Sequence, residues 1–187
     1  YKFKCWRSYR PHGDQTFAQA VGNSCNPVMA QVAFKLGYDK FYEYLRGFGF
    51  DRKTGIDLPG EALGVMVNKD RAVDIDLASM SIGQSNTYTP IQMITAIAAV
   101  ANGGKLMQPY VVDRITDNDG NVIKETKPTV VRQVVSAQTS QTMREILNGV
   151  VEEGTGSKGK VEGYNVCGKT GTAQKVVNGR YSDTDYI

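Results

Sequence analysis

The sequence predicts an α+β fold, with helices gathered early and a mainly antiparallel sheet forming towards the end. Three observations carry this. Asn26-Pro27 and Thr89-Pro90 are cap-plus-proline signals, each ahead of apolar residues at helical spacing. Valine-rich segments collect after residue 109. Asn118-Asp119-Gly120-Asn121 and Asn178-Gly179 are turn signals at hairpin positions between such segments.

The elements follow in order. Residues 14–21 suit a short helix. Asn26 caps a second, with Val28, Met29, Val32, Ala33 and Leu36 on one face and Gly37 as its stop. Asp39 caps a third through Leu45. Thr89 caps a fourth, which presents Ile91, Ile94, Ile97, Ala98 and Ala101 for burial. Ser136 caps a fifth, with Met143, Ile146, Leu147, Val150 and Val151 facing inward. Strands are expected over 110–116, 122–126, 129–135, 164–168 and 172–177. The glycine-rich run 154–159 reads as a flexible loop.

Composition bounds the function. The 187 residues suit one domain or most of one, and 41% are hydrophobic, enough for a core. A formal charge of +3, from 22 basic and 19 acidic residues, argues against nucleic acid as a partner. The apolar stretch 91–101 is too short to span a bilayer. The cysteines, Cys5, Cys25 and Cys167, show no C-x-x-C spacing, and His12 is the single histidine. A four-ligand structural zinc site is therefore not expected, nor any other metal or cofactor.

Two short motifs carry chemistry. Ser24-Cys25-Asn26 sets a hydroxyl and a carboxamide one residue apart, just before a helix. The hydroxyl can relay a proton, and the amide can donate to a substrate carbonyl. On its own the motif reads equally as a turn serine and a capping asparagine. Cys167-Gly168-Lys169-Thr170-Gly171-Thr172 puts a positive charge and two hydroxyls on glycine-rich backbone that a substrate could approach closely. On its own it also reads as an exposed hairpin strand.

As a pair, in this order, the motifs resemble those of serine acyl-transfer enzymes, which add an upstream S-x-x-K. The likeness runs along the chain. His12-Gly13, Thr16-Phe17, Asn23 to Pro27, Gly55-Ile56-Asp57-Leu58-Pro59-Gly60-Glu61, Ser81-Ile82-Gly83-Gln84, Thr89-Pro90-Ile91-Gln92, Gly154-Thr155-Gly156 and Gly168 to Gln174 resemble a class B penicillin-binding protein. The wording around Cys5-Trp6 and Ser24-Cys25-Asn26 is most similar to that family's sporulation-specific branch.

The resemblance implies the penicillin-binding transpeptidase (serine β-lactamase-like) fold across 1–187. It also implies truncation at both ends, without the upstream S-x-x-K segment and the C-terminal strand and helix. It implies a peptidoglycan D,D-transpeptidase at the extracytoplasmic face of the bacterial membrane, anchored by an N-terminal helix outside these residues. Its partners would be stem peptides ending in D-Ala-D-Ala, β-lactam antibiotics and a glycan polymerase. Ser24 would join the proton relay, Asn26 would orient the donor amide and Lys169 would support the relay. Thr170, Gly171 and Thr172 would hold the substrate carboxylate, with the Thr172 N–H in the oxyanion hole. In an oxidising space Cys5 and Cys25 could pair as a redox-sensitive disulfide; the alternative is a buried, inert Cys25.

A nucleophile is not found in these residues. Only Ser157-Lys158-Gly159-Lys160 fits S-x-x-K, in the wrong place and with glycine where a helix is needed. The same loop fails as a phosphate-binding loop, because Val161 replaces the required Ser or Thr. A Ser-His-Asp triad on His12 has no marked partners. A β-lactam sensor domain, a carboxypeptidase and a non-catalytic interaction module stand as alternatives.

Overall fold

The computed structural model describes residues 3–186. Four helices, four strands, a fifth helix and two more strands follow one another along them: α1 (Phe17–Gly22), α2 (Asn26–Gly47), α3 (Asp74–Ser81), α4 (Pro90–Ala101), β1 (Lys105–Met107), β2 (Arg114–Thr116), β3 (Val122–Glu125), β4 (Val130–Gln133), α5 (Ala137–Glu152), β5 (Gln174–Val177) and β6 (Arg180–Tyr186). All strand pairs are antiparallel, in the combinations β1–β4, β2–β3 and β5–β6. The expected sheet is thus present as separate two-stranded pairs among the described residues.

The chain divides into two compact units, one of residues 1–41, 67–86 and 142–187, the other of 42–66 and 87–141. In the first, Ala20, Val21, Cys25, Ala30, Ala33, Leu77, Ala78, Met80, Val150 and Val151 are buried. Thr16 caps α1 through the Gln19 N–H, and the Gln19 side chain answers to the Thr16 N–H, a reciprocal cap. That cap, rather than Asp14, sets where α1 starts. In α2 the Cys25 carbonyl accepts the first helical bonds, from Val28 at 3.1 Å and Met29 at 3.2 Å. Asn26 therefore lies inside the first turn and is not its cap. Gly37 breaks helical geometry at φ 77°, ψ 166°, so α2 is two helices across a kink, as the sequence suggests. The β5–β6 hairpin turns on Asn178 at φ 54° and Gly179 at φ 75°. Positive φ at both central residues matches the twist of the flanking strands.

The second unit packs α4 against β1, which pairs in turn with β4. Thr89 and Gln92 form the same reciprocal cap as α1. The buried face of α4 is not the predicted one. Gln92, Ala96 and Ala99 are buried, while Ile94 is 63% and Ile97 57% exposed. The reason is polar: the Gln92 amide donates to the carbonyls of Phe50 (3.1 Å) and Arg52 (2.9 Å), and its oxygen accepts from Gly64 and Thr89. A buried amide so satisfied fixes the helix's rotation. Gly104, at φ 89°, precedes β1, and a Cβ there would stand 1.9 Å from the Val135 carbonyl oxygen. The Gly55 to Glu61 stretch serves this unit's architecture. Asp57 accepts from the Val111 and Val112 N–H groups at 2.7 and 2.9 Å, and Glu61 accepts from Thr54 and Gly55. Backbone donors lower the Asp57 pKa, Val112 first and Val111 next.

Ser136 caps α5 through the Thr139 N–H, and Val150 and Val151 are buried as expected. Residues 164–168, expected as a strand, are not one. They lie against α5 through Gly168 N–H to Leu147 O, Asn148 Nδ2 to Val166 O and Cys167 Sγ to Arg144 O. The helix supplies the partners that a neighbouring strand would have supplied.

Candidate functional site

The site is built on two turns of the first unit. The first ends α1. Asn23 is its C-cap, the Ser24 N–H donates to Val21 O at 3.1 Å, and the Cys25 N–H donates to Ala20 O at 2.9 Å. Ser24 sits at φ 51°. This is a Schellman closure with serine where glycine is the usual choice. A non-glycine residue in the left-handed region carries a strain of about 1–2 kcal/mol. The turn is tied down around it: Trp6 Nε1 donates to Asn23 O at 2.9 Å, and Asn23 Nδ2 to Gln15 Oε1 at 2.8 Å.

The second turn is the Lys169-Thr170-Gly171-Thr172 segment. Its anchorage to α5 through Gly168 precedes Lys169 directly. Lys169 Nζ donates to Ser24 Oγ at 2.9 Å, to Thr170 O at 3.0 Å and to Thr170 Oγ1 at 3.2 Å. Its acceptors are neutral oxygens. The residue as a whole is exposed, yet its ammonium end is partly enclosed, and that loss of hydration lowers its pKa. Ser24 and Lys169 are thus brought together as the sequence pair suggests.

A third element was assigned no role in the sequence. Thr155, flanked by Gly154 and Gly156, donates to Gly22 O from both N–H (3.0 Å) and Oγ1 (3.1 Å). Its Oγ1 lies 3.2 Å from Thr170 Oγ1. Since the Thr155 hydroxyl proton goes to Gly22, Thr170 donates to Thr155 and accepts from Lys169. The result is a directed chain from Lys169 through Thr170 and Thr155 to the end of α1. Gly154 leaves space for it, since a Cβ there would meet Gly22 O at 2.8 Å. The cue in the sequence was a hydroxyl held between two glycines.

The other expected residues stand nearby or apart. Asn26 is half-buried at the start of α2, with no hydrogen bond from its carboxamide to another described residue; Gly171 and Thr172 are exposed. Ser157 lies in a short 3-10 turn, and Lys160 Nζ pairs with Glu152. That ion pair occupies the amine a Ser157 nucleophile would need. Cys5, His12 and Cys25 converge, with their ligand atoms within 4.8 Å of one another and Cys5 Sγ 3.1 Å from His12 Nδ1. The cysteines are free thiols. No helix among the described residues is long and apolar enough to cross a membrane.

Residues 1–187 match the family model for the penicillin binding protein transpeptidase domain. The chain belongs to this family. It is similar to stage V sporulation protein D of Bacillus subtilis, with 41% identity over all of the chain and 29% of that protein. It is 36% identical to penicillin-binding protein PbpB of Mycobacterium tuberculosis over 86% of the chain and 25% of that protein. The chain therefore spans under a third of the length of these relatives. Among solved structures, penicillin-binding protein 3 of M. tuberculosis, complexed with aztreonam, superposes with a TM-score of 0.85 at 35% identity, covering 91% of this chain and 40% of that one. The mixed helix-and-antiparallel-strand class expected from the sequence is that of the penicillin-binding transpeptidase domains.

Proposed function

We propose that these residues form the substrate-positioning and proton-relay wall of a peptidoglycan D,D-transpeptidase, with the attacking serine on a segment outside them. The observation that carries this is the 2.9 Å contact from Lys169 Nζ to Ser24 Oγ. A lysine donating to Ser24 holds one lone pair of its oxygen. The serine's own proton then points elsewhere, towards a leaving nitrogen. An amine that has lost hydration gives up and regains a proton more readily, which suits a relay. Asn26 would hold the donor amide, Thr170 and Thr172 the substrate carboxylate, and the Thr172 N–H the developing oxyanion. In the present arrangement the Thr170 proton points to Thr155, so a carboxylate must draw it away.

The acyl step releases the terminal D-alanine of a stem peptide, and an amine of a neighbouring peptide then takes the acyl group. β-Lactams would imitate the donor. The chemistry belongs outside the cytoplasmic membrane, in a protein anchored there and working beside a glycan polymerase. Similarity to stage V sporulation protein D favours a sporulation role.

The test uses the full-length protein with a stem pentapeptide ending in D-Ala-D-Ala and an amine acceptor, read by mass spectrometry. Cross-linked product is expected from the wild type. Ser24→Ala and Lys169→Met should each lower the acylation rate by about 10²–10⁴-fold. Product at the wild-type rate from Lys169→Met would refute the relay. The 187 residues alone should show no added mass after incubation with a β-lactam, and an adduct on Ser157 would overturn the assignment.

A further inference from the structure

Cys5, His12 and Cys25 are separated in sequence and show none of the close spacings that mark zinc ligands. The fold nevertheless gathers them. Their Sγ and ring-nitrogen atoms lie within 4.8 Å of one another, and the Cys5 Sγ to His12 Nδ1 distance is 3.1 Å. Cys25 is buried at 3% exposure, and Cys5 and His12 are half-buried. A tetrahedral zinc ion, with Zn–S of about 2.3 Å and Zn–N of about 2.0–2.1 Å, sets neighbouring donors about 3.5–3.8 Å apart. The 3.1 Å spacing is a few tenths of an ångström short of that range and every other pair lies within 4.8 Å, so small side-chain adjustments would complete the geometry.

We propose that Cys5, His12 and Cys25 form a three-ligand site for a thiophilic divalent cation of the Zn²⁺ class, with a fourth position open to water or a small donor. The chemistry of the set supports this. Two thiolates and a neutral imidazole cancel the ion's charge, so a partly buried site carries no net charge. Both thiol protons leave to solvent on binding. The imidazole is the discriminating element: a disulfide between Cys5 and Cys25 has no use for it, whereas a metal does. His12 is also packed from outside the set, its ring meeting the Trp6 ring edge-on at 5.7 Å between centroids.

The location gives the ion an effect. Cys25 directly follows Ser24, and its carbonyl starts α2. Trp6, next to Cys5, donates to Asn23 O. A bound ion would cross-link the 5–12 segment to Cys25 on one side of Ser24, where Trp6 already holds the other side through Asn23 O. The inference does not depend on the transpeptidase reading, because it is read by metal binding itself.

The experiment takes the full-length protein, reduced and stripped of metal, and titrates it with ZnCl₂ against a chromophoric chelator. CoCl₂ serves as a parallel probe whose absorption reports tetrahedral thiolate ligation. One Zn²⁺ per chain is expected. His12→Ala, which keeps both thiols, should weaken binding by at least about 10–100-fold. Cys5→Ser should do the same, and Cys167→Ser should leave affinity unchanged. The proposal is overturned if the reduced wild type binds no metal, or if His12→Ala binds as tightly as the wild type. It is also overturned if Cys5 and Cys25 form a disulfide on air exposure while the reduced protein takes up neither ion. Should Cys25→Ser fail to fold, the His12→Ala comparison decides alone.

Discussion

Ser24 offers a measurement of what its position costs. Ser24→Ala and Ser24→Gly both remove the hydroxyl that Lys169 contacts, and the two variants differ by one methyl group on a residue at φ 51°. Alanine keeps the left-handed strain of about 1–2 kcal/mol. Glycine escapes it but loses about 0.5–1 kcal/mol more in backbone entropy on folding. Glycine should therefore be the more stable variant by about 1 kcal/mol. That is a Tm difference of about 2–4 °C for a domain of 150–250 residues. Urea unfolding of the two variants, with a circular-dichroism check of unchanged helix content, gives the number. An alanine variant as stable as the glycine one would refute the claim that the turn is strained at this serine. Neither variant should sustain the relay. Stability and chemistry would then pull this position in opposite directions, as at other strained functional sites.

Other outcomes follow from the same geometry. Thr155→Val should lose about 1 kcal/mol of unfolding free energy with its hydroxyl contacts to Gly22 and Thr170, and Thr155→Ser should restore it; equal stability of valine and threonine would remove the bridge from the account. The Lys169 amine should titrate below the ordinary 10.5, read as the pH midpoint of its acetylation in a competitive labelling series. Between that lowered value and 10.5 the unfolded chain holds more protons, so this group adds stability as pH rises there. Gly104→Ala should cost about 2–5 kcal/mol, combining left-handed strain with a methyl forced against the Val135 carbonyl, and urea unfolding reports it. Asp57, held below the ordinary 3.8, contributes stability that is complete above 3.8 and is lost as pH falls through its lowered value; Asp57→Asn should flatten the acid limb of the stability curve.

Local signals in the sequence were good guides wherever a residue acts on its neighbours. Thr89 and Ser136 cap the helices they were expected to cap, Gly37 divides α2, and Asn178-Gly179 makes the hairpin turn. The Ser24 and Lys169 contact was anticipated through the family resemblance alone, which gives both residues a share in one relay; neither motif read by itself implies it. What escaped depends on distant partners. Gln92 turns α4 so that alanines, not isoleucines, face inward, and nothing near it in sequence announces the carbonyls of Phe50 and Arg52. The 164–168 segment has strand-like composition but takes its hydrogen bonds from α5. Helix α3 was missed because its start lacks a side-chain cap of the usual kind; Val73 precedes it and Asp76 reaches back to the Val73 N–H. Cys5, His12 and Cys25 are neighbours only across α1 and the Ser24 turn, which no local spacing announces.

Gly22 ends α1, where carbonyls have no helical donor left. A carbonyl oxygen has two lone pairs, and Thr155 fills both from a single residue. That amide hydrogen is consequently an isotope clock for the serine's turn. It can trade with solvent deuterium only when the loop lifts off the helix end. Any ligand that stiffens the turn would announce itself as slower exchange at one backbone position, far along the chain from the atom it protects.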